Sequence, residues 1–327
     1  MRLHAPVLGL AIVVVLAGCV RPPDESPPDA HSEAAWYTDE DLEGLPSPIH
    51  NVTILPLQGP RAGVQLNTGG ANSAHFMDEG RIGVTRAPVY SIIDARNGST
   101  IANAAPSGMA FVGFSDDGVY VARNTNHTVE IHLFEWGSSH GRRVWESRVG
   151  CSIGGAGAID VGSRFVAVPL VCEAIEPTPA GGNSVLYIID LGNGTSRRVA
   201  RGTDPSFDRD VAVAFASAGA LKRAPVAGGD VKTLKAKPQD RILDHAPSVL
   251  RGDALYYLEV SLVYVPERRD GDDGPVPRWE SDTPEIWRLN LTTGETDLLV
   301  RTKTYGIAYF DVSPSQDRLA LVLGRPI

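Results

Sequence analysis

Residues 185–200 read VLYIIDLGNGTSRRVA. Val185 to Ile189 is a run of β-branched, aliphatic and aromatic residues, the composition of a strand. Asp190 can hydrogen-bond the turn backbone, and Asn193-Gly194 supplies the positive φ that a short hairpin turn needs. A second, more polar run follows, so the stretch is a hairpin. It recurs. VYSIIDARNGSTIAN starts at Val89 and IWRLNLTTGETDLLV at Ile286, while EIHLFEWGSSHGRRVW from Glu130 and LKRAPVAGGDVKTL from Leu221 are weaker copies.

A second kind of hairpin sits between these copies. It reads GMAFVGFSDDGVYVAR from Gly108 and IAYFDVSPSQDRLALVL from Ile307, with looser relatives from Ala74, Ala158 and Pro247. The two kinds alternate, so each pair makes a four-stranded unit repeating roughly every 40 to 50 residues, the period of a propeller blade. A lone four-stranded sheet cannot bury both faces, but ringed neighbours bury them for one another. The last unit has only its inner two strands, and NVTILPLQGPRAGVQL from Asn51 is an orphan outer hairpin. Joining them completes a blade and closes the ring without free edges. The pattern predicts an all-β chain folded as a six-bladed β-propeller. Five or seven blades are the alternatives, because the unit from Thr203 to Leu234 has an inner strand near Pro205–Phe207 that is poor in β-formers. Trp36 to Leu45 reads as a short helical turn packed on the ring.

The second hairpin type resembles the TolB-like and WD-type propeller repeats of bacterial envelope proteins. Their signature is Ser-Pro-Asp-Gly before an apolar strand. Ser115-Asp116-Asp117-Gly118 and Ser313-Pro314 with Asp317 are the matching positions, and the resemblance covers about residues 52 to 323. It implies a propeller and points to binding rather than catalysis.

The N-terminus is a different kind of sequence. Ala5 to Leu16 is apolar but too short to span a bilayer, which needs about 20 residues; it has the length of a secretory signal core. It ends in Leu16-Ala17-Gly18-Cys19, which resembles the lipobox of bacterial lipoproteins. By that resemblance residues 1–18 are a removed signal peptide and Cys19 carries the lipid. Residues 19–50 then form a Pro- and acid-rich tether, and residues 51–327 the propeller. The expected location is the bacterial cell envelope, anchored to a membrane and exposed to the periplasm or cell surface. In such an oxidising compartment the remaining pair, Cys151 and Cys172, is expected to form a disulfide. The two cysteines flank the hairpin made by GAIDV and RFVAVPLV, near its open end.

Chemistry is harder to read. A net charge of −9 argues against nucleic-acid binding. Gly137-Ser138-Ser139-His140-Gly141 fits G-x-S-x-G, but a strand follows it where a nucleophile elbow needs a helix. Arg251-Gly252-Asp253 falls where a hairpin turn is required. His127 and His132 make no chelate, and no cofactor or metal site is predicted. Residues 266 to 284 read as a long rim loop, in which Asp270, Asp272, Asp273 and Trp279 are the candidate partner contacts. His75, Asp160, Asp210 and His245 fall near the channel mouth and are the candidate binding residues there. The expected function is non-catalytic: a lipid-anchored module or scaffold binding an envelope protein or glycan. The alternative is a hydrolase or lyase with its site in the central channel.

Overall fold

A computed structural model describes residues 36–45, 50–59, 62–86, 88–106, 111–154, 159–172, 184–236, 241–242, 248–267 and 276–326. They lie in one compact unit, Ala35–Ile327. The strands form six antiparallel sheets. Blades 1 to 4 are built from residues 73–104, 111–146, 151–201 and 203–235, blade 5 from 241–301. Blade 6 joins Tyr305–Val312 and Arg318–Pro326 to Val52–Pro56 and Val64–Leu66, so the chain's two ends share one sheet. The unit from Thr203 is a full blade despite its weak inner strand. Thr203–Asp208 pairs with Ala212–Ser217 through an irregularity between Thr203 and Ser206, where Asp204 has a φ of 52°.

The period of two explains the core. Along the second strand of blade 6, Leu319, Leu321 and Leu323 pack toward blade 5, while Ala320 and Val322 pack toward blade 1. Blade 5 repeats this, with Leu255 and Tyr257 facing blade 4 and Tyr256 and Leu258 facing blade 6. The result is six apolar clusters, one at each blade interface. Each sheet is buried on both faces by its neighbours, as the alternation in the sequence requires.

In the outer-hairpin turns only half of each Asn-Gly pair takes the positive φ expected of it. Strands end at Asp94 and Asp190 and resume at Thr100 and Ser196. Only the glycines adopt positive φ, 71° at Gly98 and 70° at Gly194. The asparagines work through their side chains instead, Asn97 Oδ1 accepting from Ser99 N and Asn193 Oδ1 from Thr195 N.

Residues 36–45 form a strap. Tyr37 bridges in parallel to Val300 at the outer edge of blade 5, and its hydroxyl donates to Pro56 O of blade 6 at 2.6 Å. The short helix Asp39–Glu43 buries Leu42 completely among residues of both blades.

Cys151 and Cys172 are disulfide-bonded. Cys151 lies on a strand, not before one, directly opposite Cys172. The inner edge of blade 3 is split into Cys151–Ile153 and Asp160–Val161, both paired with Phe165–Cys172. With a sequence separation of 21, the chain-entropy model gives this bond roughly 3 kcal/mol. The double variant Cys151→Ala/Cys172→Ala is therefore expected to melt roughly 5–10 °C below the oxidised parent. A calorimetric scan showing no difference would refute that assignment of stability.

The segment read as a long loop is mostly a hairpin arm. Pairing continues beyond the blade from Leu262↔Ser281 to Glu267↔Val276, because Leu262-Val263-Tyr264-Val265 is strand-forming sequence that the loop reading overlooked. Trp279 lies on this arm, opposite Tyr264 in the register. Asp270, Asp272 and Asp273 lie outside the described residues. Among the described residues, no helix is long and apolar enough to cross a membrane.

Candidate functional site

Sheet register selects one equivalent inner position per blade. The residue opposite the third residue of each second strand is His75, Gly113, Asp160, Ser206, Val249 and Asp311 in turn. All except Gly113 line a cavity of about 710 Å³ to which every blade contributes. That volume lies in the range of small-molecule sites. Turns joining first to second strands border it, among them Gly162-Ser163, Arg209, Gly252 and Pro314. The hairpin arm of blade 5 leaves from the second-to-third turn, at the opposite rim.

His75 and Asp160 therefore line one cavity. Asp210 does not. It sits in the turn after the inner strand of blade 4, with a φ of 58°, and accepts from Ser163 Oγ and from Arg164 N. It ties blade 4 to the first turn of blade 3. His245 lies outside the described residues. Ser139 lies on an exposed turn between two strands, where its hydroxyl is 3.3 Å from Nδ1 of its neighbour His140. His127 is in a turn rather than on a strand, whereas His132 is buried beside Glu130 at 2.7 Å.

The histidine is held in a small network. Its Nδ1 is 3.0 Å from the Tyr309 hydroxyl and its Nε2 3.1 Å from Ser73 Oγ, which in turn is 2.8 Å from Thr85 Oγ1. The ring packs against Tyr309 and Phe114, with centroids at 4.6 and 5.3 Å. Phe114 can approach because blade 1 has Gly83 here; a Cβ there would fall 2.4 Å from the Phe114 ring. Burial, reinforced by the Arg251 charge, pushes the His75 pKa down to about 4. The imidazole is neutral at neutral pH. Burial pushes the Tyr309 phenol well above its ordinary value.

The carboxylates are tied to the wall. Asp160 Oδ1 accepts from Val161 N at 2.9 Å, and Oδ2 from Phe207 N in blade 4 at 2.6 Å. Burial still raises its pKa to about 6, against those hydrogen bonds and the pull of Arg251. Asp311 Oδ2 accepts from Phe76 N in blade 1 at 2.7 Å, while Oδ1 accepts from Val312 N and from Arg251 Nη2 at 2.7 and 3.0 Å. Asp208 Oδ1 accepts from Gly252 N in blade 5 at 3.3 Å. Each aspartate thus reaches from one blade to the backbone of the next. Arg251 is committed in the same way, donating from Nε to Val312 O and from Nη1 to Phe207 O and Leu250 O, besides its bond to Asp311.

Sequence reasoning missed Arg251, Tyr309 and Asp311. Arg251 was assigned to a turn; its side chain instead runs into the channel wall. Aligning the inner hairpins by their second strands would have set Asp311 in the same column as His75 and Asp160. Among the described residues, no cluster of three His, Cys, Asp or Glu has metal-binding geometry.

Fold and site together define a class: a six-bladed propeller with a polar, aromatic-walled cavity at the centre of its ring. No family model and no curated protein matches the sequence. Solved structures of similar architecture include an oligogalacturonate lyase in complex with manganese, 13% identical with a TM-score of 0.47, over 83% of this chain and 77% of that one. BamB from Moraxella catarrhalis is 14% identical with a TM-score of 0.37, over 84% and 79%. Regucalcin, a calcium-binding protein from Agrobacterium tumefaciens, is 12% identical with a TM-score of 0.46, over 78% and 82%. These are likenesses of architecture and assign no activity to this chain.

Proposed function

We propose that this chain is an exported, lipid-anchored propeller that binds an envelope glycan or protein group in the central cavity without transforming it. One observation carries the reading. The two cavity acids whose pKa burial raises, Asp160 and Asp311, each spend one oxygen on a backbone amide of the next blade and the other on the amide of the following residue, with Arg251 added at Asp311. Groups committed in this way preserve the shape of a cavity; a general acid or base must be free to meet a substrate proton. Tyr309, only partly buried at the cavity wall, offers an aromatic face of the kind that sugars and side chains stack on. Disulfide Cys151–Cys172 supports the exported location, and the Leu16-Ala17-Gly18-Cys19 tetrad supports the anchor.

The test is a thermal-shift and glycan-array screen on the full chain. At least one envelope glycan or peptide is expected to raise the melting temperature saturably and be recovered unchanged, with Tyr309→Ala weakening it about tenfold. Binding indifferent to Tyr309→Ala would place the ligand elsewhere. A specific pairing favours the enzyme reading as the second one: a neutral imidazole at His75 and a carboxyl with a pKa of about 6 at Asp160 line the same cavity. Cleavage of a bound glycan, abolished by His75→Ala, would establish that reading.

A further inference from the structure

Tyr309, His75, Ser73 and Thr85 all line the cavity, and they form one hydrogen-bonded chain along its wall. Each member carries one hydrogen, since the imidazole is neutral. The three links use three of those four hydrogens, whichever way each link points. The fourth stays on one of the three hydroxyls, and among the described residues none of these has a further acceptor. A second, independent observation comes from blade 5. Ser248, 1% exposed, also lines the cavity, and its hydroxyl has no hydrogen-bond partner. The charges, by contrast, are matched within the protein. Asp311 faces Arg251 at 3.0 Å, Asp116 faces Arg81 at 2.8 Å and Asp208 faces Arg223 at 4.0 Å. Asp160 accepts from two backbone amides, and Asp204 from the Thr203 hydroxyl at 2.8 Å. Arg209 is exposed at the rim.

We infer that the cavity takes an uncharged sugar, one oxygen of which accepts the spare hydrogen from Tyr309 while a hydroxyl meets Ser248. This inference rests on the proposed binding role of the cavity. A charged ligand would enter a space whose own charges are already matched, and burying an unpaired charge there is costly. A sugar hydroxyl both donates and accepts, so it satisfies a serine hydroxyl that has no partner in the protein. The Tyr309 ring, partly buried at the wall, sets the sugar beside the tyrosine end of the chain. With Tyr309 donating to the sugar, every link has one direction. Thr85 donates to Ser73, Ser73 to His75 Nε2, and His75 Nδ1–H to the Tyr309 oxygen. Binding therefore fixes the His75 tautomer with its proton on Nδ1.

The experiment is calorimetric titration of the full chain at neutral pH with four β-1,4-linked disaccharides. Those of glucose and N-acetylglucosamine are uncharged, that of glucosamine is cationic and that of glucuronic acid anionic. At least one uncharged disaccharide is expected to bind saturably, roughly tenfold or more tighter than either charged one. Ser248→Ala should weaken it severalfold, and Tyr309→Phe, which keeps the ring, roughly tenfold. Nitrogen NMR of the complex should show His75 protonated on Nδ1. Equal or tighter binding of a charged disaccharide overturns the inference. So does uncharged-sugar binding that survives Tyr309→Phe or Ser248→Ala unchanged, or a complex in which His75 carries its proton on Nε2. Each of these leaves the cavity's binding role standing. A broader screen that finds a peptide and no uncharged sugar also overturns the inference and keeps the binding role. If neither these sugars nor the broader screen yields a ligand, the binding role itself falls.

Discussion

Asp311→Ala is expected to destabilise the ring by about 3–5 kcal/mol, the cost of leaving one member of a buried ion pair behind. Asp311 is 5% exposed and closes the seam between the last blade and the first. Its loss strands Phe76 N and one arm of Arg251 together. Burial raises the Asp311 pKa despite the Arg251 charge beside it. The desolvation cost of the carboxylate therefore outweighs its Coulombic gain, and the pair as a whole adds little stability. Breaking it is nevertheless expensive, because the surviving guanidinium remains buried. The double variant Asp311→Ala/Arg251→Met should thus recover a large part of the loss. Urea unfolding of the single and double variants checks both statements. A single-variant loss under 1 kcal/mol, or a double variant that is worse by the sum of the two singles, would contradict this account of the seam.

Replacing His75 or Asp160 should tilt the pH dependence of stability in opposite directions. The Asp160 carboxyl has a pKa of about 6 in the fold and an ordinary value when unfolded. Between roughly pH 4 and 6 the native state holds more protons there, so this group's stabilisation is complete at low pH and lost as pH rises. His75 runs the other way. Its pKa of about 4 in the fold lies below its unfolded value of 6.5. The unfolded state binds the extra proton in that window, so stability rises with pH and the penalty is gone above pH 6.5. Each shift corresponds to roughly 3 kcal/mol at 1.36 kcal/mol per pKa unit, so in the parent the two largely cancel. Burial raises Asp311 in the same sense as Asp160.

His75→Gln should therefore lose roughly 3 kcal/mol of stability between pH 4 and 6, and Asp160→Asn should gain a similar amount between pH 4 and 6.5. The relevant quantity is the difference between the two variants' profiles. Surface carboxylates with lowered pKa, such as Asp78 and Asp317, contribute equally to both and drop out. Parallel profiles would show that neither group feels the enclosed environment of the cavity.

The architecture was legible because a propeller's information is local. Alternation puts Leu319 and Ala320 on opposite faces of one strand, and that alternation can be read in the sequence itself. Turn residues work at short range too: Gly98 and Gly194 take positive φ because no side chain opposes it, whatever lies across the ring. Even the closure was readable, since an unpartnered hairpin at one end and an incomplete blade at the other satisfy each other's edges. The loop reading of residues 266 to 284 failed for an equally local reason. Its charged centre drew attention away from the strand-forming residues on either side, which pair from Leu262 to Glu267.

The cavity was legible only in part. His75 and Asp160 stood out as polar residues on inner strands. Asp210 has the same local signature but turns outward to Ser163 and Arg164. Arg251 was hidden inside a turn motif, and Tyr309 reads as one more aromatic residue in a strand. Nothing within a few residues of either says that Arg251 meets Asp311, 60 positions away, or that Tyr309 meets His75, 234 positions away. The sequence by itself determined the strands, their pairing within each hairpin and the closed ring, because side-chain alternation and turn conformation are settled between near neighbours. Only the tertiary structure decided which polar side chains share the central cavity and which are spent holding one blade to the next. Those partners come from different repeats, and ring closure alone brings them within hydrogen-bonding distance.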